Sequence, residues 1–451
     1  MAVSPARAVA FEILLRVERE ESYAAELLHS APLAKLSSRD HGLVTELVMG
    51  VLRWQSLLDQ RLAAASSQKL DRLDGEVLAA LRLGVYQLQF LSRVPARAAI
   101  FESVELVKAA RKRSAASFVN AVLRKIAGAG AEDIFAEIGK SPDAITLAQS
   151  AAHPPWLVAR WTEHYGLEAA RQICAHDQTV PGTAIHIHDD PSDAELAAVG
   201  VQLSPGRLFS AARRVLSGDV TGTRAYQEGR VSIQDEASQL VALLAGRGET
   251  IVDCAILDCC AAPGSKTALL ARRNPRAKVL ATELHPHRAR LLQSLNRLPN
   301  VYVVAADACH LPFSFTFDRI LADVPCSGTG TLARNPEIKW RLKAEDLHDL
   351  QSRQVAILKS VLAQLANGGR LVYSTCSLEH EENEEVVEAA LDGAAGFKVV
   401  DFKGELELLR QSGEMCWKDI ASLLAGPYLR TIPGMHPCDG FFAALIERKR
   451  S

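Results

Sequence analysis

The sequence predicts an α/β protein: an open, mostly parallel sheet with helices on both faces, preceded by an all-helical part. Two apolar runs predict the sheet. Ile256-Leu257 leads into Asp258-Cys259, and Phe317 to Ala322 leads into Asp323, each run ending in an acid before a loop of small residues. Buried parallel strands end in this way where they carry the chain to a ligand-binding edge. A third observation predicts the helical part. Over residues 1 to about 128, apolar residues recur at spacings of three and four, as in Leu43, Leu47 and Val51, the stripe that a packed helix needs.

Within that first part, helices are expected at 7–20, 23–30, 38–53, 57–65, 75–90, 98–110 and 114–126, with Ser38-Arg39-Asp40 reading as a helix start. A connector over about 145–230 reads as α+β. His153-Pro154-Pro155-Trp156 opens a helix, a place where proline is tolerated. A strand at 183–188 and a helix at 192–199 follow. His186 and His188 alternate on one face of that strand, but no third ligand stands at a useful spacing, so no metal site is expected.

From about residue 231 the chain reads as the sheet. The turn Cys260-Ala261-Ala262-Pro263-Gly264-Ser265-Lys266 runs into a helical stretch at 268–273. It is neither a Walker loop nor the dinucleotide fingerprint. Glu283 closes the next strand about 25 residues after Asp258, where a Rossmann unit places the acid that holds ribose hydroxyls. Asp307 closes the third strand and Asp323 the fourth. Such acids suit a nucleoside with hydroxyls, an exocyclic amine and a sulfonium charge. Asp323-Val324-Pro325-Cys326-Ser327-Gly328-Thr329-Gly330 then presents a thiol in a small-residue loop. Some fifty residues on, Gly369 to Ser377 repeats the plan and carries Cys376 to a strand end. Two cysteines at two strand ends suggest one site, and spacing alone leaves open which of them does what.

Three motifs in this order, Cys260 to Lys266, Asp323 to Gly330 and Ser374-Thr375-Cys376-Ser377, resemble the RsmB/Sun-type branch of the RsmB/NOP RNA cytosine carbon-5 methyltransferases, which use S-adenosyl-L-methionine. The flanks Gln234 to Ser238, Arg334 to Trp340 and Asp439 to Phe442 also resemble the family. Ser265 is a departure, since many members have a second glycine there. The pieces Asp40 to Val44, Gly50 to Arg53 and Phe118 to Arg124 resemble the NusB-like RNA-binding fold that such enzymes carry.

The resemblance implies a NusB-like helical domain (1–128), a small α+β RNA-binding connector (145–230) and a Rossmann-like, seven-stranded methyltransferase core (231–451). It implies Cys260, Ala261, Ala262, Pro263, Gly264, Ser265, Lys266, Glu283, Asp307 and Asp323 as cofactor contacts, with Glu283 on the ribose and Asp307 on the adenine amine. Carbon 5 of cytosine is a poor nucleophile until a thiolate adds to carbon 6. The resemblance implies Cys376 for that addition, Cys326 for proton removal and release, and Asp323 beside them at ring nitrogen 3. In DNA cytosine methyltransferases, by contrast, the nucleophile follows a proline, as Cys326 does. The implied substrate is one cytosine of small-subunit ribosomal RNA, unpaired or flipped from its stack.

Bulk properties fit. The 451 residues carry a net charge of −2, yet residues 1–128 hold 18 Lys and Arg against 13 Asp and Glu, a net +5, while the remainder is −7. Phosphate contacts are therefore expected on the helical part, around Arg111-Lys112-Arg113 and Arg124-Lys125. No apolar run is long enough for a membrane span, no signal-peptide pattern opens the chain, and the nine cysteines form no CxxC pair. A cytoplasmic monomer with free thiols, no metal and no membrane partner is expected. Two other readings stay open: a cytosine methyltransferase acting on tRNA or another nucleic acid, and a non-enzymatic RNA-binding or antitermination factor, which would have no need of the paired thiols.

Overall fold

The structure, a computed structural model, describes residues 3–20, 22–28, 36–128, 134–188, 191–247 and 254–450. They fall into two compact units, Met1–Val180 with Leu332–Leu342, and Pro181–Thr331 with Lys343–Ser451. The chain thus leaves the second unit just after the Cys326 loop, lends a short segment to the first, and returns.

Among the described residues the regular elements of the first unit are helices: Pro5–Glu20, Ala24–Leu28, Ser38–Ala65, Gly75–Phe90, Ala96–Ala109, Ala116–Ala127, Ile134–Lys140, Ala144–Ser150 and Pro155–Asp177. The break expected between residues 53 and 57 is absent. Trp54, Leu57 and Leu58 are all buried, so the apolar stripe continues across the polar pair Gln55-Ser56 without a glycine or proline to stop it. The Ser37 side chain accepts from the Asp40 amide and caps this helix. Residues 29 and 30 of the second expected helix lie outside the described residues. The lent segment is held by polar side chains. Buried Lys339 donates to the Arg53 and Ala152 carbonyls at 2.8 and 3.0 Å, and Trp340 Nε1 donates to the Leu52 carbonyl at 2.6 Å. Burial brings the Lys339 pKa down to about 7.

The second unit opens with a small antiparallel sheet of β1 Thr183–Ile187, β2 Gln202–Pro205, β3 Ala212–Ser217 and β4 Val231–Ile233, in the order β2-β3-β1-β4. The expected connector is therefore divided, its helices through Asp177 lying in the first unit and its strands in the second. The main sheet has five parallel strands, β5 Ala255–Cys259, β6 Lys278–Glu283, β7 Val301–Ala305, β8 Phe317–Asp323 and β9 Leu365–Thr375. To these it adds β10 Phe397–Val400, β11 Leu424–Ala425, β12 Tyr428–Thr431 and β13 Phe441–Arg448. The order is β11-β12-β13-β9-β8-β5-β6-β7, with β10 also on β13.

Among the described residues the main sheet has nine strands where seven were expected. Eight-residue β13 is flanked by two short strands, β12 along Phe441 to Ala443 and β10 along Leu445 to Arg448, so one position in the sheet is shared, and β11 folds back on β12. Helices cover both faces, which is why Ile320-Leu321-Ala322 of β8 reads as an unbroken apolar stretch. On one face Leu240, Leu244 and Leu270 pack with Leu321 and Val372; on the other Leu358, Val361 and Val387 pack with Ile320 and Leu371. Among the described residues no helix is long and apolar enough to cross a membrane.

Candidate active site

Parallel register pairs Asp323 of β8 with Ser374 of β9, so Cys326 and Cys376 leave neighbouring strand tips a few residues later. Their sulfurs lie 3.4 Å apart. Contact with the Cys376 sulfur, and then burial, push the Cys326 thiol well above its ordinary pKa. Asp323 has both oxygens engaged: Oδ1 accepts from Ser374 Oγ at 2.8 Å, and Oδ2 pairs with Lys266 Nζ at 2.8 Å. Burial works against the Lys266 charge, but the Asp323 carboxylate outweighs it and leaves the lysine pKa above its usual value. The ammonium also sits 5.4 Å from the centre of the Phe441 ring.

Two glycines let the Cys326 loop lie against the start of β13. Gly440 N donates to the Gly330 carbonyl at 2.8 Å, and Gly330 N donates to the Cys376 carbonyl at 2.9 Å. A Cβ on Gly330 would fall 2.3 Å from the Gly440 oxygen, so no side chain fits there.

At the tips of β5 to β7 the turn expected to hold the cofactor is tight. Gly264 has φ +113°, and a Cβ there would meet Asn296 Nδ2 at 2.1 Å. Ser265 opens the helix Ser265–Arg273 and is not among the positive-φ residues, so the backbone at that position does not require glycine. Cys260 does adopt a positive φ, +63°, and Ala261 N donates to the Thr282 carbonyl at 2.8 Å. The acids divide by environment. Asp258 is buried, accepts from Thr267 Oγ1 at 2.6 Å and has its pKa raised by burial to about 7, so it fastens the following helix. Glu283 takes the His285 amide on Oε1 at 3.1 Å, with Arg288 at 3.8 Å from the same oxygen. Its Oε2 has no hydrogen-bond partner among the described residues. Asp307, just past β7, is exposed; the Cys309 amide at 2.9 Å, more than His310, holds its carboxyl below the usual range.

The remaining expected sites are placed as follows. His186 bonds Gln239 at 2.8 Å and its ring lies 4.8 Å from that of His188. No group of three or more potential metal ligands occurs among the described residues. In the basic cluster of the helical unit, Lys112 pairs with Asp74 at 2.9 Å. Sequence reasoning missed the side chains that hold the two thiol loops, above all buried Glu382, Gln354 and Asn383. The one available signal was the Cys-Ser dipeptide, present at both Cys326 and Cys376.

Comparison with known proteins supplies the family. The family described as 16S rRNA methyltransferase RsmB/F matches residues 243–447, and the NusB family matches residues 4–128. A Bacillus subtilis protein named probable ribosomal RNA small subunit methyltransferase B is 34% identical, over 98% of this chain and 98% of its own length. The chain belongs to the RsmB/F methyltransferase family. The Pseudomonas putida ribosomal RNA small subunit methyltransferase B is 35% identical over 85% of this chain and 88% of its own. In fold, the crystal structure of PH0851 agrees with a TM-score of 0.81 at 21% identity, covering 99% of this chain and 100% of that one. The RsmB/F match falls almost wholly within the second unit and the NusB match within the first.

Proposed function

We propose that this RsmB/F family member transfers a methyl group from S-adenosyl-L-methionine to carbon 5 of one cytosine in small-subunit ribosomal RNA, through a transient bond between Cys376 and carbon 6. The observation that carries the reading is the 3.4 Å approach of Cys326 and Cys376 beside the Asp323–Lys266 pair. Two thiols in contact suit a reaction that needs one group to add to the ring and another to release it.

The residues at the tips of β5 to β7 fit the cofactor. The Gly264 turn is packed close against Asn296 and Leu292, Glu283 Oε2 is available for ribose hydroxyls, and exposed Asp307 can accept from an exocyclic amine. When bound, the cofactor supplies an electrophilic methyl group on a sulfonium centre. The chain's own residues do the rest. Cys376 adds to carbon 6 and makes the ring enamine-like. Asp323, held by Lys266 and Ser374, takes the Cys376 thiol proton and passes it to ring nitrogen 3, where negative charge would otherwise develop. Cys326, as a thiolate once its own proton has passed to solvent, takes the carbon 5 proton, so that the bond to Cys376 breaks and the product leaves. The net positive helical unit supports RNA binding through phosphate contacts.

The test is methylation by the purified full chain of separated ribosomal and transfer RNA pools, with bisulfite sequencing of ribosomal RNA from a deletion strain. The expected result is one 5-methylcytosine in small-subunit RNA that disappears on deletion. Label in transfer RNA alone would move the substrate to the tRNA reading, and no label in any pool would remove the enzymatic one.

A further inference from the structure

Each cysteine is followed by a serine, and both serines turn to one side chain. Glu382 is fully buried. Its Oε1 accepts from Ser327 N at 2.8 Å and from Gln354 Nε2 at 2.9 Å. Its Oε2 accepts from the Ser377 hydroxyl at 2.5 Å and from the Ser327 hydroxyl. Gln354 Nε2 also donates to the Pro325 carbonyl at 2.9 Å, and Tyr373 Oη donates to the Glu382 carbonyl at 2.6 Å. The residues on both sides of Cys326, and the one after Cys376, are therefore tied to a single carboxylate and its glutamine partner.

A buried carboxylate is costly unless every lone pair is met. Here four donors meet it, and all four come from the two thiol loops or from the glutamine that braces one of them. Removing the carboxylate would leave the Ser327 amide unpaired and both hydroxyls without their charged acceptor, with only the 3.0 Å contact between the hydroxyls still joining them directly, so the two loops would lose their common anchor. Neither Glu382 oxygen touches a sulfur in these contacts; its reach to the chemistry runs through Ser327 and Ser377. We propose that Glu382 is a positioning residue, which acts through Ser327 and Ser377 to set the separation of Cys326 and Cys376. The proposal deepens the reading of the two cysteines as one site, and its main readout needs no RNA and no assumption about substrate.

That readout is the rate at which diamide joins the two thiols in the full chain. The thiols give up two protons and two electrons, which reduce the diazene N=N bond to a hydrazine, and one S–S bond forms. From 3.4 Å the sulfurs must close to a bond of about 2.05 Å, so the rate reports their separation. Linked peptides carrying Cys326 and Cys376 are counted by mass spectrometry. Glu382→Ala is expected to slow linkage by at least ~10-fold, the consequence of losing several hydrogen bonds to a charged group, with cofactor affinity unchanged. Glu382→Gln should come back to within ~3-fold of wild type, because its amide oxygen can face the Ser327 amide while its NH₂ faces hydroxyls that rotate to accept. Wild-type linkage in Glu382→Ala would overturn the proposal. So would a Gln variant as slow as the Ala one, since position alone would then not account for the role. Should Glu382→Ala fail to fold, Ser377→Ala removes one arm only: slower linkage supports the proposal and an unchanged rate overturns it.

Discussion

The carboxyl end of the main sheet is built in two ways. At the tips of β8 and β9, Ser374, Thr375, Ser377 and Glu382 are buried and cross-bonded, and Cys326 and Cys376 emerge between them. At the tips of β5 to β7 the acids are capped one at a time: Asp258 by Thr267, Glu283 by the His285 amide, Asp307 by the Cys309 amide. On the proposed mechanism the two sulfurs must be held to a fraction of an ångström, which suits loops that share anchors. A ligand with many polar groups distributes its binding over independent contacts, each of which can be lost without moving the others.

The comparison can be broken from either side. The largest effect is expected at the thiol side. Gly330→Ala drives a Cβ into the Gly440 backbone, and overpacking of this kind costs about 1–3 kcal/mol; the rate of methyl transfer should fall by ~10- to 100-fold while cofactor affinity, measured by calorimetry, holds. Loss of both would mean the two halves are not separate. On the cofactor side, Glu283→Ala should weaken cofactor binding by ~10- to 100-fold, the loss expected for hydrogen bonds to a charged group, with Cys326–Cys376 linkage by diamide unchanged. An unaltered affinity would return Glu283 to a purely structural role.

The smallest effect is on stability and depends on pH. Burial raises the Asp258 pKa to about 7, so the fold favours the protonated acid. Its contribution is full below the ordinary carboxylate value and is lost as pH rises through about 7. Asp258→Asn imitates the protonated form and can still accept from Thr267. It should melt above the wild type at pH 8, by roughly 2–4 °C, and the gap should narrow toward pH 5. A gap independent of pH would contradict the burial argument.

The strand tips were legible because buried parallel strands write continuous apolar runs and the candidate site residues follow immediately, as in Ile320-Leu321-Ala322-Asp323. The turn at Gly264 was legible because a left-handed residue followed by a helix leaves a glycine signature. What stayed hidden depends on distant contacts. Nothing local marks Arg334 to Trp340 as belonging to the helical unit, because its anchors are the Leu52, Arg53 and Ala152 carbonyls. Glu382 stands in the acidic run Glu379 to Glu385, which reads as a solvated face. Only the loops folding over it make it an interior group. The shared position beside β13 was hidden for the same reason, since pairing partners of four residues leave almost no periodicity to read.

The most direct test replaces each cysteine and looks for enzyme fixed to RNA. With Cys376 adding to carbon 6 and Cys326 serving release, Cys376→Ala should give no methylation and no covalent complex. Cys326→Ala should still add and transfer the methyl but stall before elimination. Denaturing electrophoresis should then show a slow band for Cys326→Ala alone, and RNase should remove it. The band appearing for Cys376→Ala instead would reverse the roles, and full activity in both variants would mean that the tips of β8 and β9 do not form the site.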